Sequence, residues 1–230
     1  MQYAPCLLGL ALAYLVGSIP FGFLIAASRG VDIRKAGSGN IGATNVYRTL
    51  GKGPGIMTFA LDYAKGLLAV CVLPAAVATL MALAGAAAQP AGPHPLALPL
   101  ACAVGTMLGH SFPLYLGFKG GKGVATGVGI VSGLAPHSAL LAVGVWIAVF
   151  VLGRYVSLAS IFAAAAAAVS AWAWHRAEGV FVPAVVTALA LLVIVRHRSN
   201  IRRLLNGTEN RFKSLSPFGK SDRPDSRNPS

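Results

Sequence analysis

Apolar residues form long, nearly uncharged runs along this chain, and short polar segments separate them. A membrane-spanning helix needs about 20 largely apolar residues, because each residue advances it by about 1.5 Å through a hydrocarbon layer of about 30 Å. Two runs in the middle of the chain are shorter, so they are either two spans or one broken helix. The pattern predicts helices over residues 5–27, 55–83, 96–117, 124–136, 138–152, 156–174 and 180–195.

The distribution of positive charge decides between six and seven spans. With seven, alternate gaps share one side of the membrane, and that side holds 17 of the 19 lysine and arginine residues. Loops rich in these residues stay in the cytoplasm. The opposite gaps are nearly uncharged: residues 89–95 carry no charge, and residues 175–179 carry one arginine and one glutamate. We therefore predict about seven transmembrane helices, with the N-terminus outside and the C-terminus in the cytoplasm.

The composition agrees with a membrane protein. Hydrophobic residues make up 56% of the 230 residues and charged residues only 11%, and the mean hydropathy is +0.69. Such a chain is too apolar for one soluble core with a wetted surface. The net charge of +13 could suggest nucleic acid, but that partner requires an exposed basic face. We predict an all-α, polytopic integral membrane protein that contacts membrane lipid and no nucleic acid.

The two ends of the chain differ in character. The first apolar run lacks a positively charged region before it and a small-residue cleavage site after it, so we predict a helix and not a signal peptide. Residues 212–230 are rich in serine, proline, lysine and arginine, which predicts a disordered basic tail. Residues 1–211 are then a single transmembrane domain.

The sequence offers no metal site. The three cysteines, Cys6, Cys71 and Cys102, lie inside apolar runs without metal-ligand spacing. The chain has only six acidic residues, and no cluster of histidine, cysteine and carboxylate has the spacing of metal ligands. No Ser-His-Asp set stands out either. We expect neither a metal nor another cofactor.

The polar segment after the first run has the character of an anion-binding loop. Residues 36–48 read AGSGNIGATNVYR. Glycines let main-chain N–H groups approach an anion, neutral side chains add donors, and arginine adds a planar cationic fork. An ordinary polar turn would explain the glycines equally well, but not the arginine. The candidate residues are Ser38, Gly39, Asn40, Thr44, Asn45 and Arg48.

A second glycine-rich segment, residues 117–127, reads GFKGGKGVATG. It lacks the GK[ST] ending of a P-loop and lies between membrane helices, so ATP hydrolysis is not supported. Two lysines before a helix still favour an anion, through their charge and the helix dipole. Contact with lipid headgroups is the alternative. The candidate residues are Lys119, Gly120, Gly121, Lys122 and Gly123.

Two polar pairs have a spacing of three, which places their members on one helix face. Ser157 and Ser160 form the first pair, and such serines often only bond neighbouring helices. His197 and Asn200 form the second pair, within a basic extension of the last predicted helix. A basic helix lying on anionic lipid explains the arginines there. It does not explain the histidine and asparagine.

Asp62 and Lys65 are a pair of opposite charges inside the second predicted span. Charges within a membrane are expensive, so a functional role is the first hypothesis. The pair lies within about two helical turns of the cytoplasmic end, and the alternative is that it only braces the loops. Such charges and broken helices would also suit a transporter or channel for an anionic solute. The internal repeats typical of transporters are not found.

These segments, with GSIPFG at residues 17–22 and LDYAKG at residues 61–66, closely resemble the bacterial acyl-phosphate-dependent glycerol-3-phosphate acyltransferase family. The motifs match in order from about residue 14 to residue 212. The resemblance implies a multi-pass enzyme of the bacterial inner membrane with its active site on the cytoplasmic side. It would transfer a fatty acyl group from acyl phosphate to the 1-hydroxyl of glycerol 3-phosphate, giving lysophosphatidic acid and phosphate, the first step of phospholipid synthesis. The enzyme that produces acyl phosphate is a further partner that it suggests.

The resemblance also implies roles for residues of this chain. Direct attack by the glycerol hydroxyl is expected, because an acyl phosphate is already activated and needs no acyl-serine intermediate. The donor phosphate would take the proton, and His197 is either an alternative base or, with Asn200, a positioning group for glycerol 3-phosphate. Asp62, Lys65 and Glu209 are supporting candidates, with Asn45 and Lys119. The implied active-site residues are Ser38, Arg48, Lys122, Ser160, His197 and Asn200.

Overall fold

The computed structural model of the protein describes residues 3–85 and 94–212. Throughout these stretches the regular structure is helical, which confirms the predicted all-α class for them. The predicted disordered tail over residues 212–230 lies outside the described residues, except for its first residue. The α-helices of the described stretches are α1 (Ala4–Gly17), α2 (Phe21–Ala27), α3 (Ala43–Leu50), α4 (Lys52–Cys71), α5 (Leu73–Leu83), α6 (Ala97–Ser111), α7 (Val124–Leu134), α8 (Pro136–Gly153), α9 (Val156–His175), α10 (Phe181–Arg196) and α11 (Arg198–Leu205).

Several of these helices are long and apolar enough to cross a membrane. In the described part of the chain, four segments meet that test as single spans: Ala4–Ala27, Ala97–Leu116, Pro136–Gly153 and Val156–Glu178. Two more meet it when the bent pairs α4–α5 and α10–α11 are each taken together. The remaining apolar helix, α7, has 11 residues. Each of the seven predicted runs therefore contains a helix or a bent pair.

Two predicted spans are interrupted at proline. The first break lies between α1 and α2, and Pro20 directly precedes α2. The second is a bend of 48° between α4 and α5, where Pro74 is the second residue of α5. Proline has no N–H, and its ring clashes with the carbonyl four residues earlier. The predicted spans over residues 5–27 and 55–83 are therefore each divided into two helices, which the apolar pattern does not predict.

The two short apolar runs in the middle of the chain form two helices. Between α7 and α8, Ala135 has φ −149° and ψ 70°, outside the helical region, and Pro136 begins α8. The two helices also have different main neighbours, because α7 packs on α4 and α8 packs on α9. The two runs therefore form two separate helices with different main neighbours.

Glycines allow helices to pack at backbone distance. A Cβ on Gly66 of α4 would collide with the carbonyl oxygen of Thr126 of α7, and a Cβ on Gly129 of α7 would collide with the carbonyl oxygen of Tyr63. Small residues at helix crossings permit such approach in membrane proteins. This contact matters for the site, because it brings the start of α7 beside the charged pair of α4.

Asp62 and Lys65 form a buried ion pair, with Nζ 2.6 Å from Oδ1. Their side chains are only 5% and 4% exposed. Lys65 Nζ also donates to the main-chain oxygen of Ile19 at 3.0 Å, in the break between α1 and α2. The nearest ring nitrogen of His110 lies 3.6 Å from Asp62 Oδ1. Lys65 therefore satisfies a carbonyl in that break, which favours a bracing role for it.

Candidate active site

A polar cavity of about 160 Å³ lies where the two glycine-rich loops meet the starts of α7 and α9 and the junction of α10 with α11. The chain after α11 completes its wall. Most of the residues that the sequence predicted converge on this one space, although they are up to 171 positions apart. The predicted residues that line it are Ser38, Asn40, Thr44, Asn45, Arg48, Asp62, Lys122, Gly123, Ser160, His197, Asn200 and Glu209.

Five predicted residues lie outside the lining of this cavity: Gly39, Lys65, Lys119, Gly120 and Gly121. Lys119 is exposed. Arg196 donates hydrogen bonds to the main-chain oxygens of Gly120, at 2.8 Å, and Gly121, at 3.1 Å. The second loop is thus tied to the end of α10 through its main chain, and this bond fixes the position of Lys122.

Asn45 organises the first loop. Its buried amide nitrogen donates to the main-chain oxygens of Asn40 at 2.8 Å and Ala36 at 3.0 Å, and its Oδ1 accepts from the N–H of Ser38 at 2.8 Å. Gly37 has φ +56°, and a Cβ there would collide with Oδ1 of Asn45. These hydrogen bonds use the polar groups of the amide within the loop, so Asn45 shapes the loop in which Ser38 lines the cavity.

A network around Glu209 joins three elements. Its carboxylate accepts from Ser157 Oγ at 2.8 Å, Asn200 Nδ2 at 2.7 Å and Arg203 Nε at 2.7 Å. Asn200 Oδ1 in turn accepts from Lys122 Nζ at 2.5 Å. Partial burial raises the pKa of Glu209, but the three hydrogen bonds outweigh it and hold that pKa below its usual value. Glu209 therefore stays ionised and orients Asn200 and Arg203.

Positive charge exceeds negative charge in the cavity. Arg48, Lys122 and Arg203 line it, while Glu209 offsets one charge and Asp62 is paired with Lys65 outside the lining. Burial lowers the pKa of Lys122 to about 8; Glu209 opposes this lowering, and the guanidinium groups of Arg203 and Arg48 add to it. A bound anion would offset the unbalanced charge. The excess positive charge of the cavity is therefore compatible with an anionic group such as phosphate.

His197 presents one ring nitrogen as a hydrogen-bond acceptor. Its Nδ1 lies 2.8 Å from the main-chain oxygen of Val193. A carbonyl oxygen only accepts, so Nδ1 carries the hydrogen and Nε2 has the free lone pair of the neutral ring. The ring is 2% exposed and lines the cavity beside Asn200. With this geometry, Nε2 can accept a hydrogen bond from a substrate hydroxyl.

An apolar cavity of about 320 Å³ adjoins the polar one. The two share Phe59, Val124, Trp146 and Ser160 in their linings. Trp146 Nε1 donates to Ser160 Oγ at 3.2 Å, and that hydroxyl donates to the oxygen of Val156 at 2.8 Å. Helices α7 to α10 form most of the walls, and each lines the cavity along a stretch of eight residues, which rises by about 10 Å. A polar head and an alkyl chain can thus lie across one junction.

Sequence reasoning missed several lining residues. Ser157 shares with Ser160 the spacing of three that marks one helix face. Contact with anionic lipid explains Arg203 from the sequence alone. Trp146 and Asn210 have no local signal, since an isolated tryptophan in an apolar run is an ordinary core or lipid-facing residue. His110 lines the cavity through its packing against Asp62, 48 positions away. Only the tertiary fold reveals such pairs.

Comparison with known proteins gives one consistent result. The model of the family described as glycerol-3-phosphate acyltransferase matches residues 7–207. A glycerol-3-phosphate acyltransferase of Geobacter sulfurreducens is 48% identical over 206 residues, covering 89% of this chain and 96% of that protein. The corresponding protein of Aquifex aeolicus is 44% identical, covering 87% and 95%.

Solved structures agree with the sequence relatives. The crystal structure of PlsY, an integral membrane glycerol 3-phosphate acyltransferase, in its glycerol 3-phosphate form matches with a TM-score of 0.77 at 40% identity. The match covers 91% of this chain and 96% of that one. The lysophosphatidic acid form matches with a TM-score of 0.75. The fold of an integral membrane acyltransferase thus extends over almost the whole described chain.

Proposed function

This chain belongs to the glycerol-3-phosphate acyltransferase family, and on that premise we propose that it transfers a fatty acyl group from an acyl phosphate to the 1-hydroxyl of glycerol 3-phosphate. The products are lysophosphatidic acid and inorganic phosphate. Structures of PlsY in a glycerol 3-phosphate form and a lysophosphatidic acid form support this acceptor and this product. The family comparison gives no support to the alternative of a transporter or channel.

The observation that carries the proposal is the junction of the two cavities at Ser160 and Trp146. Excess positive charge on one side suits the phosphates of both substrates, and an apolar chamber on the other side suits the acyl chain. The reacting carbonyl of an acyl phosphate joins a phosphate to an alkyl chain. It would therefore lie at this junction, within reach of a glycerol 3-phosphate held by the polar cavity.

We propose direct transfer. The 1-hydroxyl oxygen of glycerol 3-phosphate attacks the carbonyl carbon, the bond from that carbon to the phosphate oxygen breaks, and the hydroxyl proton passes to the departing phosphate. Arg48 and Lys122 stabilise the negative charge that develops on the carbonyl oxygen and the leaving phosphate. His197 Nε2 and Asn200 position the acceptor. The Ser160 hydroxyl is already engaged at both ends, which argues against its use as a nucleophile.

The arrangement in the membrane follows from the same proposal. Four segments and two bent pairs are long and apolar enough to span, and we propose that the 11-residue helix α7 is a further, shorter span, which gives seven spans with the N-terminus outside. The lysines and arginines of the loops and the polar cavity then share the cytoplasmic side. Residues 1–211 form one domain of the bacterial inner membrane, as the family match over residues 7–207 supports. A cytoplasmic site would allow contact with the enzyme that makes acyl phosphate.

The proposal is tested with purified protein in detergent. Phosphate release from palmitoyl phosphate is measured with and without glycerol 3-phosphate, for the wild type, Arg48→Ala and Lys122→Ala. Each substitution is expected to lower kcat/KM by about a hundredfold or more, because each removes a charge that acts on the transition state. Lys52→Ala is the control, since Lys52 is exposed and outside both cavities. Phosphate release that is the same with and without glycerol 3-phosphate would contradict the proposal.

A further inference from the structure

A short segment after α11 lines the polar cavity and contacts Arg48. The family match ends at residue 207, so this segment, residues 208–212, lies beyond it. The main-chain oxygen of Asn210 accepts from Arg48 Nη2 at 3.3 Å. The ring of Phe212 lies against the guanidinium, with its centroid 4.8 Å from Cζ. Two residues of the segment therefore hold the same cation.

Phe212 is itself anchored on α8. Its N–H donates to the main-chain oxygen of Arg154 at 3.0 Å, at the turn between α8 and α9. Its ring meets Phe150 edge to face with the centroids 5.5 Å apart, and Phe150 stacks on Trp146 at 4.9 Å. Since Trp146 lines both cavities, these three rings form a row from the cavity junction to Arg48. The row fixes the orientation of the Phe212 ring.

Among the residues that the structure describes, the side chain of Arg48 has few other contacts that could hold it in place. It lies in the last turn of the short helix α3, and its long side chain is exposed. Glu209 is the carboxylate whose charge acts on it, yet the oxygens of Glu209 are occupied by Ser157, Asn200 and Arg203. An aromatic face attracts a guanidinium while leaving its N–H edges open. Arg48 thus keeps donors for an anion in the cavity.

We propose that Phe212 is a positioning residue for acyl transfer: its ring holds the Arg48 guanidinium at the rim of the polar cavity, where its free N–H groups meet a substrate phosphate. This inference rests on the proposed function and adds a positioning residue to it. The competing explanation is that Phe212 only packs the segment against α8. The two explanations differ in whether the electrostatic potential of the ring matters.

Fluorinated phenylalanines at position 212 of the full-length protein separate the two explanations. Added fluorine atoms remove the negative potential of the ring face with little change in ring size. If the ring acts on Arg48, kcat/KM for glycerol 3-phosphate-dependent phosphate release falls stepwise with fluorine number. The total loss is expected to be about threefold to thirtyfold. Phe212→Leu should give a similar loss, and Phe212→Trp should retain activity.

The matched control places the same fluorinated residues at Phe162, an exposed residue of α9 that lines neither cavity. These proteins should keep the wild-type kcat/KM, and all variants should keep the wild-type thermal midpoint. A flat fluorination series at position 212 in an active enzyme would overturn the inference, as would equal losses at positions 162 and 212. A wild type without glycerol 3-phosphate-dependent release would instead overturn the proposed function, and this inference with it.

Discussion

At the scale of single residues, Lys122 carries the charge in the site that depends most on pH. Burial lowers its pKa from 10.5 to about 8, so the ammonium is present below pH 8 and is lost as the pH rises through 8. Arg48 and Arg203 remain charged over that range. If the ammonium stabilises phosphate charge, activity must follow its protonation.

We therefore expect kcat/KM for glycerol 3-phosphate to fall above about pH 8, approaching tenfold per pH unit. In Lys122→Arg the alkaline limb should move out of the measurable range, at a lower plateau, because a guanidinium keeps its proton. The second ionisation of a phosphate monoester has a pKa of about 6 and therefore affects the acidic limb of the pH profile. Non-enzymatic hydrolysis of the donor is subtracted at each pH. An alkaline limb at the same pH in Lys122→Arg would assign it to another group.

At the scale of elements, α7 to α10 enclose a chamber with small side chains. Alanines occupy much of its lining, and Ala167 of α9 lies at the end far from Ser160, about 10 Å along the helix. Ala139, Val131 and Val186 lie at the corresponding depth on α8, α7 and α10, and a packed apolar cluster continues beyond them. The depth of the chamber should therefore limit the acyl chains that fit.

Ala167→Phe should shorten the accepted acyl chain. The added ring would fill the far end, and overpacking of this kind costs about 1–3 kcal/mol. We expect kcat/KM for palmitoyl phosphate to fall about tenfold or more, with less than about a twofold change for octanoyl phosphate. The control is Ala165→Phe, in the same alanine run but exposed and outside the lining. Equal losses for both chain lengths would place the acyl chain elsewhere.

At the scale of the whole molecule, the pair of Asp62 and Lys65 joins elements that are distant in the chain. Through Lys65, α4 bonds the break between α1 and α2, and through Asp62 it meets His110 of α6. Removal of one partner leaves a buried charge uncompensated, at a cost of about 3–5 kcal/mol. Removing one charge of the pair should therefore destabilise the protein more than neutralising both.

Lys65→Met should lower the thermal midpoint in detergent by roughly 6–20 °C, from that cost and the size of the chain. The double variant Asp62→Asn, Lys65→Met should recover part of the loss, because both buried groups are then neutral. Scanning fluorimetry at one fixed heating rate measures the midpoints, since such unfolding is often irreversible. A double variant less stable than Lys65→Met would show that the charge balance is not the stabilising term.

How much the sequence could predict depends on the distance over which each feature acts. Ser38, Arg48 and Lys122 lie in glycine-rich motifs whose chemistry is local, and all three line one cavity. The breaks near Pro20 and Pro74 had a local signal, but long apolar runs concealed it. The network of Glu209 and the row of rings ending at Phe212 join residues through tertiary contacts only. No pattern within a motif carries that information.

The central claim is that acyl phosphate is the donor and glycerol 3-phosphate the acceptor at the junction of the two cavities. The most direct test incubates the purified protein with radiolabelled palmitoyl phosphate and glycerol 3-phosphate, and measures labelled lysophosphatidic acid against released phosphate. Our account predicts equal amounts of the two products and no labelled product from palmitoyl-CoA. Lysophosphatidic acid formed from palmitoyl-CoA, or none formed from palmitoyl phosphate, would contradict it.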